Sequence, residues 1–344
     1  MIEGPKCWER DRDSKVLVGS QACKEALEWL VSNAVLAPST HNSQPWQFRV
    51  REDHLEVWAD RSRGLPVADP LGRELAISCG AAIQYAHLAA RNRNFEGSVE
   101  LLPDASKPDL FAIMRLGPPN SPTPREKLRF ESIRTRHTSR IPMTADASKE
   151  HKTDSLGSLA SAHGVRFDVT RNERLREKIA NLVAEAELTV MNDREFRNEL
   201  AAWIKSSKSR AHDGMSVSSF GIFDTLSRVT AAGIAKIGKG LDTGEPHRQL
   251  VLNAPVLGVL SSSLDDTAAW LRSGMALADI TLELAAHGLS ASFFSQPLYV
   301  ASTRQRLAEM WDLGAWPQML VRFGYSEGVP AAPRREPEQV IVVD

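Results

Sequence analysis

Cysteine is scarce in this sequence, and the cysteines present are not spaced for cross-linking. The 344 residues include three, at positions 7, 23 and 79, and no two of them form a CxxC pair. An odd count without paired spacing argues against a disulfide framework and favours a reducing compartment. We therefore interpret Cys7, Cys23 and Cys79 as free thiols.

Long apolar runs and an excess of one charge are also missing. The most apolar windows, residues 250–264 and 274–294, are short or interrupted by Asp279, Glu283 and His287, so neither fits a membrane span. The first residues are charged and lack the apolar stretch of a secretion signal, so the cytoplasm is the expected location. Lysine and arginine (42) nearly balance aspartate and glutamate (43), which gives no basis for binding nucleic acid or a membrane surface.

Several common catalytic motifs do not occur. The sequence has no Walker-type GxxxxGK[ST], no GxGxxG after a predicted strand, no GxSxG and no His/Cys set with metal-ligand spacing. These absences remove the sequence support for a P-loop, a Rossmann site, a serine hydrolase and a metal centre. His41, His87, His137 and His212 are scattered, and an isolated histidine is usually structural. From the residue pattern alone we assign no catalytic side chain and no metal ligand.

Hydrophobic periodicity predicts an ordered series of elements that occurs twice. The first series has helices over residues 21–36 and 73–92 and strands over 46–50, 54–59, 98–102 and 111–117. The second has a helix over residues 274–287 and strands over 289–294 and 318–324. Placing Gly80 over Gly274 brings Ile83 over Leu277. Internal duplication explains this recurrence, and chance similarity of two βαβ-like stretches is the alternative.

We favour duplication, which divides the chain into two halves. The Pro- and Gly-rich stretch GPPNSPTPR, residues 117–125, has the composition of an interdomain linker. The predicted organisation is an N-terminal extension (1–20), a first half (21–120) and a second half (125–344). Residues 206–246 have no counterpart in the first half and are predicted to be an insertion, which is either a surface excursion or a lid over a pocket.

The loop after the first helix, APSTHNSQPWQF at residues 37–48, concentrates hydroxyls, amides and two prolines. It resembles the PSxxNxQPW loop of the FMN-dependent nitroreductase family, which lies at the dimer interface and reaches the flavin held mainly by the partner subunit. By that resemblance, Pro38, Ser39, Asn42 and Gln44 would contact FMN held chiefly by the other half of this chain. We assign Trp46 to packing beneath the loop, because a buried tryptophan is usually part of the core.

A second polar stretch, RTRHTSR at residues 134–140, holds three arginines and a histidine in an otherwise neutral protein. The planar guanidinium can donate two parallel hydrogen bonds to a phosphate, although a solvated basic loop is the alternative interpretation. The stretch resembles the RRSxR signature of the same family. That resemblance implies that Arg136, His137 and Thr138 lie at the ribityl phosphate and that Arg140 lies near the pyrimidine edge of the flavin, where a cation stabilises the reduced ring.

The two signatures are divided between the halves. The first half carries the PSTHNSQPW loop but a poor RRSxR equivalent, and the second half carries RHTSR but no PSxxNxQPW loop. In a symmetric dimer each site draws on both subunits, so a fused chain can lose one site and keep the other. The resemblance therefore implies one FMN per chain.

Two further stretches of the second half are similar to parts of the family's flavin site. The turn SFFSQPLY, residues 292–299, implies that Ser295, Gln296 and Pro297 face flavin N5, and a turn that closes a strand is the alternative. The basic run containing Arg334 and Arg335 implies a phosphate contact from one of the two arginines. Residues 339–343 either pair with the sheet of the opposite half or form a frayed tail.

Taken together, the motifs resemble the tandem, Acg-like nitroreductases. The resemblance implies an α+β fold, a nitroreductase-like α/β/α sandwich present twice as an internal pseudodimer, with a monomer as the default assembly. It also implies hydride transfer from NAD(P)H through FMN to a small-molecule acceptor such as a nitroaromatic or a quinone. The alternative is a flavin-sequestering protein whose lid covers FMN and whose reductase activity is weak or absent, and a flavin-free binding module is a third hypothesis.

Overall fold

The computed structural model describes residues 21–145, 154–206, 209–216, 243–326 and 331–343. The predicted N-terminal extension lies outside these ranges, as do residues 207–208 and 217–242 of the predicted insertion, which is the proposed lid. Within the described part, no helix combines the length and apolarity needed to cross a bilayer.

The first half contains one four-stranded antiparallel sheet in the order β1-β2-β4-β3. Its elements are α1 (Gln21–Ala34), β1 (Trp46–Val50), β2 (His54–Ala59), α2 (Arg73–Asn92), β3 (Phe95–Leu101) and β4 (Leu110–Pro119). Both β1 and β2 place alternate side chains in the core, and the predicted bounds of β1, β2 and α2 are confirmed.

The second half contains a matching sheet in the order β5-β8-β10-β9, also antiparallel. Its described helices are α3 (Pro124–Glu131), α4 (Asp154–Ser161), α5 (Glu173–Asn192), α6 (Arg194–Trp203), α7 (Gly244–Leu252), α8 (Thr267–Ala286), α9 (Gln296–Tyr299) and α10 (Ala301–Met310). Its described strands are β5 (Arg166–Thr170), the two-residue pair β6 (Ile204–Lys205) and β7 (Met215–Ser216), β8 (Val256–Ser262), β9 (Ser290–Phe294) and β10 (Trp316–Gly324).

The two halves share one topology. Each sheet is ordered first, second, fourth, third strand, and in each half one long helix, α2 or α8, connects the second strand to the third. This recurrence confirms the predicted α+β class with two fused copies. The boundary that we propose at residues 117–125 spans the end of β4 and the beginning of α3.

Helices α2 and α8 cross at the centre of the molecule, where each contributes a glycine. A Cβ at Gly80 would lie 2.1 Å from the carbonyl oxygen of Leu271, and a Cβ at Gly274 would lie 2.0 Å from that of Ile77. The two contacts are reciprocal, as a pseudo-twofold axis requires. Because nearly every residue of α2 is buried, this crossing is the core of the pseudodimer.

Helix α8 begins earlier than the sequence pattern predicts. Its first residue is Thr267, and the carboxylate of Asp266 caps it by accepting a hydrogen bond from the backbone N–H of Ala269 at 2.8 Å. The apolar pattern predicted this helix over residues 274–287 only, and glycine is in general unfavourable inside a helix. Gly274 is instead in the helix interior, where the close approach of α2 leaves no room for a side chain.

The C-terminal segment pairs with the sheet of the first half. The N–H of Phe48 donates to the carbonyl of Val340, and the N–H of Val342 donates to the carbonyl of Phe48, both at 2.8 Å. Phe48 and Ile341 thereby form a parallel bridge. The predicted pairing of residues 339–343 with the opposite half is confirmed, and it brings the preceding arginines next to the PSTHN loop.

Helix α3, the first helix of the second half, is joined to α2 by Glu126. This carboxylate accepts hydrogen bonds from the Nε of Arg91 at 2.9 Å and from the backbone N–H of Thr123 at 2.7 Å. Burial alone would raise the pKa of Glu126, but these hydrogen bonds outweigh it and lower the pKa to about 2. Folding therefore stabilises the ionised form of this side chain.

Glu126→Gln is expected to destabilise the protein in a pH-dependent manner. A lowered pKa in the folded state contributes stability that is fully present above the unfolded pKa and is lost as pH falls through the folded pKa. The difference in unfolding free energy between wild type and Glu126→Gln should thus be largest above about pH 5 and should shrink by more than half by about pH 3. Urea unfolding at both pH values measures it, and a pH-independent difference would contradict the assignment.

Candidate functional site

A cavity of about 630 Å³ lies where the two halves meet. The first half lines it with the PSTHN loop and α2, and the second half lines it with the RHTSR loop and with residues of α5, α6, α7, α8 and α9. Its volume falls in the range of about 300–1,000 Å³ that is typical of small-molecule and cofactor sites.

The cavity collects most of the residues that the motifs single out. Ten of them line it: Pro38, Ser39 and Asn42 from the first loop, Arg136, His137, Thr138 and Arg140 from the second, and Ser295, Gln296 and Arg334. Three do not line it, namely Gln44, Pro297 and Arg335. Residues that are far apart in the sequence therefore meet at one place.

The PSTHN loop has an unusual backbone. His41, Asn42 and Gln44 have φ angles of 54°, 55° and 52°, in the left-handed region that non-glycine residues seldom adopt. Two side-chain contacts hold it: the N–H of Gln44 donates to Ser39 Oγ at 2.9 Å, and Thr40 Oγ1 donates to Glu74 Oε2 at 2.6 Å. Three such residues within four positions are typical of a functional loop whose strain the surrounding structure supports.

Asn42 joins three segments of the chain. Its Nδ2 donates to the carbonyls of Gly214 at 3.0 Å and Pro333 at 2.9 Å, and its Oδ1 accepts from Arg334 at 2.8 Å. Both amide hydrogens are thus committed to protein carbonyls. Asn42 borders the cavity, but its contacts give it the role of fixing the C-terminal segment and the segment around Gly214 beside the loop.

Gln44 is fully buried and lies behind the loop. Its Nε2 donates to the carbonyl of His212 at 2.8 Å, and its Oε1 accepts from the backbone N–H of Arg335 at 2.8 Å. The guanidinium of Arg335 donates to the carbonyls of Gln44 and Gln339. These contacts explain why neither side chain reaches the cavity: both hold the C-terminal segment against the loop. Trp46, as predicted, is buried in the core.

The RHTSR loop lies along the edge of β9. Thr138 forms a parallel bridge with Ala291, and the N–H of Ser139 donates to the carbonyl of Ala291 at 2.9 Å. Beneath it, the buried guanidinium of Arg322 on β10 donates to the carbonyls of Ser139 and Ile141, at 3.3 and 2.9 Å. Arg322 was not identified from the sequence, although an arginine inside the apolar strand QMLVRFG indicates a buried cation that needs hydrogen-bond partners.

One end of the cavity is strongly cationic. Arg136 is 5% exposed, and its Nη1 contacts Thr138 Oγ1 at 3.4 Å. Burial and the charge of Arg136 lower the pKa of Arg334 to about 9, and burial with both arginines lowers the pKa of His137. Among the described residues, the buried Nε atoms of both arginines have no hydrogen-bond partner.

Arg140 and His41 face each other elsewhere in the cavity. Burial lowers the pKa of Arg140 to about 10, and burial with the charge of Arg140 lowers the pKa of His41 to about 3. His41 is therefore neutral at physiological pH. Arg140 also contacts the sulfur of Met215 at 3.0 Å. The sequence interpretation treated His41 as structural, although its position inside the PSTHN motif indicated a place in the site.

The SQP turn begins α9. Ser295 and Gln296 line the cavity, whereas Pro297 is buried behind it and its carbonyl accepts a hydrogen bond from Thr303 Oγ1 at 2.9 Å. Tyr299, at the end of α9, also lines the cavity, and its hydroxyl donates to Glu74 Oε2 at 3.2 Å. Glu74 Oε2 therefore accepts from Thr40 and Tyr299 together, which links the PSTHN loop of the first half to the SQP turn of the second.

Two titratable residues that sequence reasoning missed also line the cavity: Glu187 on α5 and His247 on α7. Glu187 Oε1 lies 3.7 Å from His247 Nδ1, and burial raises the pKa of Glu187. The signal was present in the helical pattern, because Glu187 occupies the apolar face that also carries Val183, Ala186 and Val190. An acid on such a face is either paired or functional.

Comparison with known proteins gives relatives that match nearly the whole chain. A Mycobacterium tuberculosis protein with the provisional name NAD(P)H nitroreductase Rv3131 is 29% identical over 323 residues, covering 92% of this chain and 91% of the relative. Another from that organism, with the provisional name NAD(P)H nitroreductase acg, is 27% identical and covers 93% and 96%. PigM of Serratia, a provisionally named NAD(P)H nitroreductase, is 25% identical and covers 92% and 93%.

Among solved structures, the FMN-dependent nitroreductase NfnB from Mycobacterium smegmatis aligns with 63% of this chain and 98% of its own, at 16% identity and a TM-score of 0.41. No family model matches the sequence. The similarity to the curated relatives, which extends over 92–93% of this chain, confirms the predicted resemblance to the tandem, Acg-like nitroreductases.

Proposed function

We propose that this protein binds one FMN in the cavity between its halves and reduces a small-molecule acceptor with NAD(P)H. The observation that carries the proposal is the cationic end of the cavity, which Arg136 and Arg334 both line; their charges interact, and each has a buried, unpartnered Nε atom. Two guanidinium groups that interact in this way repel each other unless an anion lies between them. A phosphate fits this requirement because it accepts several charge-assisted hydrogen bonds at once.

The remainder of the cavity suits a flat heteroaromatic ring. Apolar side chains from both halves border it, including Ile77 and Ala81 of α2 and Leu277 of α8. The same cavity carries hydroxyl, amide and charged side chains from both halves, and a combination of apolar walls with polar groups is typical of cofactor sites. The residues present therefore fit a phosphorylated flavin: an anion-binding end, an apolar middle and a second cation, Arg140, elsewhere in the cavity.

Individual roles follow from these positions together with the resemblance. Arg136, Thr138 and Arg334 would hold the phosphate, and His137 would assist there. Arg140 would lie near the pyrimidine edge, beside the neutral His41. Pro38, Ser39, Ser295 and Gln296 would border the ring. Asn42, Gln44, Pro297 and Arg335 would act through the loops that they hold rather than through direct contact.

When bound, FMN would supply hydride chemistry, accepting two electrons from NAD(P)H and passing them to a nitroaromatic or a quinone. The side chains of this chain would orient the cofactor and stabilise negative charge on the reduced ring, chiefly through Arg140. Because both sides of the cavity come from one polypeptide, we propose that the monomer is the working unit.

The alternative function is flavin sequestration without turnover. One observation favours this hypothesis: Gly214, Met215 and Ser216, which belong to the predicted insertion (206–246), border the cavity. Residues 207–208 and 217–242 of that insertion, the proposed lid, lie outside the described residues. The two functions differ in one measurable property, which is access of a nicotinamide to the flavin.

Anaerobic mixing of the yellow protein with NADH or NADPH is expected to bleach the flavin absorbance. The reason is that hydride transfer from a nicotinamide reduces the isoalloxazine ring, which then loses its visible absorbance. Stopped-flow absorbance measures the rate with each nucleotide. Chemical reduction by dithionite is the control, because it shows that the bound flavin can be reduced at all.

Each outcome separates the hypotheses. Bleaching by NAD(P)H supports the reductase. Bleaching by dithionite alone supports sequestration, and deletion of residues 217–242 should then restore bleaching by NAD(P)H if that segment covers the flavin. A colourless preparation that takes up no added FMN would eliminate both functions and leave the flavin-free binding module.

A further inference from the structure

The cavity contains one acid that the proposed flavin site does not use. Among the described residues that line the cavity, Glu187 is the one carboxylate. It is 6% exposed and shares the cavity wall with apolar side chains of α5, α6 and α7, including Met191, Phe196 and Leu250. An ionised carboxylate is costly in such surroundings.

Two polar neighbours contact this acid. His247 of α7 places Nδ1 at 3.7 Å from Glu187 Oε1 and at 3.1 Å from the carbonyl of Thr243. On the other side of the imidazole ring, Nε2 lies 3.3 Å from the Nε2 of Gln296. Glu187, His247 and Gln296 all line the cavity, so the cluster faces any molecule that enters it.

The elements packed around Glu187 bring few other charges near it. Burial raises the pKa of Glu187, while the charge of His247 and the hydrogen bond with Gln296 lower it. Other charged groups of these helices have partners of their own: Glu185 of α5 pairs with Arg306 of α10 at the surface, and Arg248 of α7 contacts Asn181 and Glu245. In α6, Arg197 donates to the carbonyl of Met191, and Glu199 accepts from the backbone of Val67 and Ala68.

We propose that Glu187, positioned by His247 and Gln296, is the proton donor to the acceptor. This inference rests on the proposed reductase function. A quinone that takes up a hydride, which is two electrons and one proton, becomes a monoanion. It needs one more proton on oxygen to become the hydroquinone. The Glu187 carboxyl donates that proton, and solvent returns one to Glu187 after the product leaves.

The assignment predicts that acceptors divide into two classes. Quinones need the proton, whereas ferricyanide takes up electrons alone. General acid catalysis by a positioned side chain contributes about 10²–10⁴-fold to rate. Glu187→Gln is isosteric but cannot act as an acid. It should therefore lower turnover of p-benzoquinone by about 100-fold, with NADPH as the reductant, and leave turnover of ferricyanide within about twofold of wild type.

Matched controls use the same helix. Glu185→Gln changes an exposed acid on α5 and should leave both acceptors unaffected, and Glu187→Asp keeps an acid and should recover part of the quinone rate. A readout that does not depend on turnover is the infrared absorbance of protonated carboxyl groups near neutral pH. A band present in wild type and in Glu185→Gln should be missing from Glu187→Gln.

Specific results would overturn the proposal. Equal losses with p-benzoquinone and ferricyanide would make Glu187 a structural residue, as would an infrared spectrum unchanged by Glu187→Gln. If that variant does not fold, the pH dependence of wild-type turnover tests the assignment instead. Turnover of p-benzoquinone should fall with rising pH while turnover of ferricyanide stays constant. Parallel pH profiles for the two acceptors would refute the assignment. Failure of the proposed function is distinguishable, because it abolishes reduction of both acceptors by the wild type.

Discussion

Arg136→Met is expected to weaken FMN binding about 100-fold and, in the same variant, to stabilise the FMN-free protein. A hydrogen bond to a charged group contributes about 1.5–3 kcal/mol, which corresponds to about 10- to 100-fold in affinity. Without FMN, however, Arg136 is a buried cation beside Arg334, with an unpartnered Nε. Methionine has similar length and no charge, so it removes both the repulsion and the unsatisfied donor.

Two measurements on the apoprotein test whether Arg136→Met weakens FMN binding while it stabilises the FMN-free protein. Quenching of flavin fluorescence gives the dissociation constant of FMN, and thermal unfolding without FMN gives the change in stability. Arg115→Met is the matched control, since Arg115 is an exposed arginine of β4 and should alter neither quantity. Unchanged affinity in Arg136→Met would contradict the phosphate role. A lower stability of its apoprotein would show that Arg136 has structural partners that outweigh the repulsion.

The sequence indicated two loops that line the cavity, because each contains a short motif that resembles a family signature. PSTHN and RHTSR are short motifs, and most of their polar side chains reach the cavity. The motifs could not predict the hydrogen-bond partner that each side chain finds in a distant part of the chain. Asn42 contacts Gly214 and Pro333, which are 172 and 291 positions away in the chain, and such pairings depend on how the two halves pack.

The same limitation explains the misplaced residues. By the resemblance, Gln44 would contact the flavin and one of the pair Arg334 and Arg335 would contact its phosphate. The structure uses the hydrogen-bonding groups of Gln44 and Arg335 to join the C-terminal segment to the PSTHN loop, because buried backbone groups there need partners. Conversely, Glu187 belongs to no motif and could be recognised only as an acid on the apolar face of a helix.

The internal repeat could be predicted from the pattern of apolar residues, but its physical basis could not. Aligning Gly80 with Gly274 matched two helices of similar periodicity. The structure shows that these two glycines lie at the helix crossing itself, where each faces the backbone of the other helix. A sequence pattern does not distinguish a glycine that ends a helix from one that permits close contact.

Gly80→Ala is therefore expected to cause a severe loss of stability. In most helices this substitution stabilises, since alanine exceeds glycine in helix propensity by about 1 kcal/mol. Here the new Cβ would lie 2.1 Å from the carbonyl oxygen of Leu271, which is backbone and cannot rotate away. Relief requires α2 and α8 to separate, and this disturbs both halves of the core. We expect a loss of about 3 kcal/mol or more, at or beyond the upper end of typical overpacking costs.

Gly157→Ala in α4 is the matched control, because its Cβ would meet one atom, the carbonyl oxygen of Phe167, at an ordinary 3.8 Å. It should leave stability unchanged or raise it by up to about 1 kcal/mol. Urea unfolding of the two variants and wild type measures the difference in sign. Gly274→Ala should reproduce the effect of Gly80→Ala, since its Cβ would lie 2.0 Å from the carbonyl oxygen of Ile77. If both alanines at the crossing were tolerated as well as Gly157→Ala, the close contact of α2 with α8 could not be what joins the two halves.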